Sequence, residues 1–170
     1  MLNKTIECAL ATLTLTIAIL AASGADAAPV IRQGAASAAI ASSVEVPAGA
    51  DLIYISGQLP PVVDTTAPAG TQAAYGDAQT QATNIFKQIR DILKAKGLGL
   101  GDVVMMRVYM IGDPGNGGKM DFNGMMAAYR QFFGAPDQPN KPARSTVQVS
   151  ALAAPGPSME IEVTAARPRP

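Results

Sequence analysis

The chain has 170 residues, 48% of them apolar and 15% charged, with a formal net charge of zero. This much apolar residue builds one buried core and excludes a disordered chain; the lack of any Lys or Arg run excludes a phosphate-binding face, so no nucleic-acid partner is expected. Histidine is absent and Cys8 is the sole cysteine, which excludes a Ser-His-Asp triad, a Cys-His pair and a zinc site of the usual N/S type.

Met1 to about Ala27 has the pattern of a secretory signal. Lys4 supplies a positive start, with Glu7 an exception; Ala9 to Ala22 (ALATLTLTIAILAA) is uncharged; Ala25 to Ala27 (ADA) offers small residues for cleavage. The alternative is an uncleaved membrane anchor, but the apolar run is short of the about 20 residues a spanning helix needs. A periplasmic or secreted protein is expected, off the membrane once the signal is removed. Cys8 precedes the apolar stretch, so the exported chain would carry no cysteine and its fold would rest on packing alone. Ala28 to Ala36 reads as a flexible leader, 37–167 as a single domain and 168–170 as a tail.

Ser43–Val46 and Asp51–Gly57 are strand-like, separated by the turn signal PAGA. Gln58–Gly76, rich in Pro, Gly, Thr and Ala, reads as a long loop of the kind that often carries function. Asp77–Lys96 is the clearest helix. Ala82, Ile85, Phe86, Ile89, Ile92 and Leu93 recur at helical spacing, charged residues face away, and Gly97 stands at the C-terminal cap position. GLGLGD (Gly97–Asp102) is no phosphate loop, because it follows a helix and opens a strand. That strand is Asp102–Ile111, followed by a glycine-rich loop, Gly112–Met120. Asp121 caps a second helix running to about Phe133, with Phe122, Met125, Met126, Tyr129, Phe132 and Phe133 on one side. The methionines suit core gap-filling better than a soft metal, since no His or Cys would assist them. No metal or cofactor is expected.

Two strands close the chain. In RSTVQVS, Arg144, Thr146, Gln148 and Ser150 share one face; in MEIEV, Glu160 and Glu162 share one face, opposite Met159, Ile161 and Val163. One sheet face would then be polar and hold an arginine with carboxylates. A solvated face with a surface ion pair and a ligand site both fit this pattern. If the two strands form a simple hairpin, Arg144 lies opposite about Ala165, and Glu160 is roughly 16 Å away along the ladder. Any cooperation between them would then need a neighbouring subunit or a bridging ligand.

PARSTVQVSALAAPGPSMEIEV (Pro142–Val163) resembles the signature of the RidA/YjgF family of reactive intermediate deaminases. ISGQLP (Ile55–Pro60), QATNIFKQIRDILKAKGLGLGDVV and FNGMMAAYRQFF are similar to further family segments in the family's order, over roughly Ala38–Ala165. The resemblance implies an α+β, chorismate-mutase-like fold: a mixed sheet with two helices packed on one face, assembled as a homotrimer with clefts between subunits. It implies hydrolysis of 2-imino and 2-enamino acids to 2-oxo acids and ammonia, without cofactor. Arg144 would grip the substrate carboxylate, Glu160 would activate water or relay a proton, and the backbone near Ser56 and Gly57 would orient the ligand.

The chain departs from the family where Ser43 replaces a tyrosine bordering the substrate, Thr146 replaces a cysteine and Met126 replaces an asparagine. The loop at Gly112–Met120 is also longer than usual. These changes keep the anchor and the acid but alter the cleft wall. Two other readings therefore stand beside the deaminase: a non-catalytic protein binding a small carboxylate through Arg144, and a structural or stress-related trimer with protein partners.

Overall fold

The computed structural model describes residues 28–169; the expected signal segment lies outside the described residues. Helix α1 (Ala78–Lys94) begins where the Asp77 carboxylate accepts from the Thr80 N–H at 2.7 Å. It ends as Gly97, at φ +70°, turns the chain and lets the Leu98 N–H donate back to the Leu93 carbonyl. Helix α2 (Phe122–Phe132) begins in the same manner, with Asp121 accepting from the Gly124 N–H at 2.9 Å.

Among the described residues six strands accompany them: β1 (Ile31–Gln33), β2 (Ser43–Glu45), β3 (Asp51–Gln58), β4 (Val103–Met110), β5 (Ala143–Gln148) and β6 (Met159–Arg167). The four long strands form one mixed sheet in the order β3-β6-β4-β5, and β6, last in the chain, lies inside it. β6 runs antiparallel to β3 and β4. β4 and β5 are parallel, joined through α2. Both helices contribute to one core: Ile85, Phe86, Ile89 and Leu93 of α1 and Met125 and Tyr129 of α2 meet Met106, Val108, Met110, Ile161 and Val163 of the sheet. The sequence-predicted apolar faces pack as expected except at Phe122, which is exposed at the start of α2, and Met106, Met110, Met125 and Met126 lie in the core. The sheet's other face carries exposed Leu52, Tyr54 and Val147 among charged residues.

Three expectations need correction. Ala28–Ala36 is not a loose leader throughout: Ile31–Gln33 is β1, paired antiparallel with β2. Three residues are too few for a period-2 signal; the anchor is instead long-range, the Arg32 guanidinium donating to the Gly101 carbonyl at 2.7 Å. The PAGA turn forms, with the Ala50 N–H on Pro47 O, yet β2 ladders with β1 rather than β3. The final two strands also form no hairpin, because β4 stands between β5 and β6.

Candidate active site

Strand register decides where the charges point. Met106 pairs with both Arg144 and Val163, so all three side chains lie on the helix-covered face. Tyr109 pairs with both Val147 and Glu160, so Glu160 lies on the open face. The shared polar face expected from the sequence is thereby overturned: Arg144 and Thr146 are on one side of the sheet, Glu160 and Glu162 on the other. The alternation within each strand was read correctly, but parallel pairing of β5 with β4 fixes its phase relative to β6, and neither strand's own pattern contains that information.

The arginine half lies between β5 and α2. The Arg144 guanidinium carbon sits 4.3 Å from the Tyr129 ring centroid and 6.0 Å from that of Phe122. Its Nη2 donates to the Met126 sulfur at 3.1 Å. Among the described residues its buried Nη1 has no hydrogen-bond partner, nor have Thr146 Oγ1 and Tyr129 OH. Burial lowers the Arg144 pKa, opposed by the Tyr129 hydroxyl and reinforced by Arg130. Burial pushes the Tyr129 hydroxyl up to about 12, with Arg144 pulling the other way. Among the described residues no carboxylate pairs with Arg144. A half-buried cation without a counter-ion is costly, and a ligand carboxylate would supply what is missing.

The carboxylate half is built on a break in the β3–β6 ladder. Ile55 pairs with Val163 and Gln58 with Ile161, leaving Ser56 and Gly57 in the irregularity. The Glu160 carboxylate occupies the space beside Gly57: a Cβ there would lie 1.7 Å from Glu160 Oε1. Glu160 and Glu162 face a groove with Tyr109, Leu152 and Ala153, while Ser56 lines the adjoining hollow with Tyr54 and Arg107. Glu162 is engaged, accepting from Arg107 Nη1 at 2.7 Å and the Tyr109 hydroxyl at 3.4 Å. Glu160 has no hydrogen-bond partner among the described residues. Half-buried and uncommitted, it is free to hold water.

The structure thus brings together Arg144, Thr146 and Met126 in one half and Glu160, Gly57 and Ser56 in the other. Ser43 joins neither; exposed on β2, its hydroxyl reaches Gln33 Oε1 at 3.4 Å. Sequence reasoning assigned Tyr129 only to the core. Its place three residues beyond Met126 on the same helix side was the available signal for a platform under Arg144.

The family model for endoribonuclease L-PSP matches residues 33–167. The chain is 36% identical over 124 residues to protein DfrA of Myxococcus xanthus, covering 72% of this chain and 81% of that one. It is 34% identical over 113 residues to the human protein named 2-iminobutanoate/2-iminopropanoate deaminase, covering 66% and 71%. Among solved structures it resembles Escherichia coli TdcF with bound serine, at 32% identity and a TM-score of 0.53, over 72% of this chain and 84% of that one. With its mixed sheet, its two helices on one face and the match over 33–167, the chain belongs to the endoribonuclease L-PSP family, the RidA/YjgF or Rid proteins.

Proposed function

We propose that the protein hydrolyses reactive 2-imino and 2-enamino acids to 2-oxo acids and ammonia, in clefts between the subunits of a homotrimer. The observation that carries this reading is Arg144, a half-buried cation with one guanidinium nitrogen lacking any acceptor. The name of the human relative supports the substrate class. Because Arg144 and Glu160 lie on opposite faces of one sheet, a working site takes the arginine half from one copy and the carboxylate half from the next. The exposed Leu52, Tyr54 and Val147 supply the apolar contact for that assembly. Export by an N-terminal signal, and thus an imine source outside the cytoplasm, belongs to the same proposal.

Arg144 grips the substrate carboxylate and sets the imine carbon before a water on Glu160. Glu160 takes a proton from that water as its oxygen bonds to the carbon, and passes the proton to the nitrogen. It then takes the proton of the new hydroxyl and delivers it to the amino nitrogen as the C–N bond breaks, so that the 2-oxo acid remains, ammonia leaves and Glu160 is again a carboxylate. An amino-acid oxidase generating imines beside the protein, with semicarbazide to trap what survives, gives the test. Faster imine decay that both Arg144→Ala and Glu160→Gln lose supports the deaminase. Folded protein that leaves decay unchanged yet binds 2-oxo acids through Arg144 replaces it with the non-catalytic reading.

A further inference from the structure

We propose a second ligand site, separate from both halves of the cleft, that takes a short-chain aliphatic carboxylate in the hollow between the 34–42 strap and the 139–141 segment. The hollow measures about 160 Å³ and is lined by Arg32 and Lys141 together with Ile40, Ala41 and Pro139, with no Asp or Glu on its wall. Both cations are fixed by backbone. Arg32 Nη2 donates to the Gly101 carbonyl at 2.7 Å, and Lys141 Nζ donates to the carbonyls of Ala36 at 2.9 Å and Ala38 at 2.7 Å. Carbonyls orient these groups without neutralising them.

Among the described residues no carboxylate oxygen lies within 4.0 Å of either cation. Asp102, whose field reaches Arg32, spends its own carboxylate on the Gly99 N–H at 2.7 Å. Arg32 Nε is buried without an acceptor, a further sign that the guanidinium is under-satisfied. Two held cations lining one small hollow favour an anion there. The wall is mixed: Ile40, Ala41 and Pro139 suit a short hydrocarbon tail, while the Gln33 and Asn140 amides lie beside the cations where a carboxylate would sit.

The purified protein carrying Arg144→Ala, which silences the first carboxylate anchor, is titrated with butyrate at constant ionic strength and followed by NMR. Saturable shifts at Gly34, Lys141 and the Asn140 side chain are expected, weakened roughly tenfold by Lys141→Gln. Since Lys141 also holds the strap, Ala35→Asp serves as the second variant. It places a carboxylate on the exposed rim of the same hollow without removing a clip, and butyrate binding should vanish. Shifts that grow linearly without saturating, that phosphate produces at lower concentration than butyrate, or that survive both variants overturn the site.

Discussion

At Gly57 a hydrogen stands where any other residue would put a carbon 1.7 Å from the Glu160 carboxylate. Gly57→Ala should therefore push Glu160 away and lower imine hydrolysis as far as Glu160→Gln does, with the circular dichroism unchanged; retained activity would detach Glu160 from the chemistry. Tyr129 gives a second residue-scale prediction. Its hydroxyl is buried and unpartnered, so Tyr129→Phe keeps the stack under Arg144 and should change stability by no more than about 1 kcal/mol. With its folded pKa raised to about 12 from 10.0, the neutral phenol supports the fold fully below pH 10 and loses that contribution as pH rises through 12. Alkaline unfolding of Tyr129→Phe should accordingly begin at higher pH than in the parent, and an unchanged onset would count against the buried phenol as its source. Arg144 and Glu160 stood out in the sequence as candidates because each is a charge on a strand whose alternate residues are apolar or small. Tyr129 was not, because helical spacing cannot distinguish a ring that fills a core from a ring that supports a cation.

The helices were the most legible elements, since each declares its start with an aspartate and its buried face with a 3.6-residue period. The two caps are chemically alike but differ in what their helices carry. Asp77→Ala and Asp121→Ala should each cost about 1 kcal/mol in urea unfolding. Only Asp121→Ala should also weaken 2-oxo acid binding, because α2 bears Met126 and Tyr129 against Arg144; equal binding in both variants would argue that α2 does not position the arginine. The Asp77 pKa is held down by its hydrogen bonds to Thr80, so its contribution stands at neutral pH and fades as pH falls through that lowered value. Strand partners were far less legible than helix ends. A period of two tells which residues share a side, but not which neighbour the side is measured against, and this is why the strands of Arg144 and Glu160 were placed on a common face.

For the whole molecule, the proposed site, divided between two faces, would make activity a property of the assembly. Arg144→Ala and Glu160→Gln chains, each inactive alone, should recover activity when refolded together. Random association in equal amounts leaves about a quarter of the clefts with both groups intact. No recovery, from mixtures shown to co-assemble, would place the whole site within one chain. Val147→Asp, on the open face, should give smaller species in sedimentation and lose activity in parallel.

The position of β6 bears on synthesis. A ribosome emits β3 and β4 early, but they never pair with each other; the strand that joins them is the last to emerge. Until then each offers an unfilled edge, and the parallel β5 has only β4 to rest on. Cooperative closure must therefore wait for β6, and a chain stopped short of Met159 would be left with separated edges and an uncovered apolar layer. Such fragments are natural targets for proteolysis, and the sheet stays open until β6 is made.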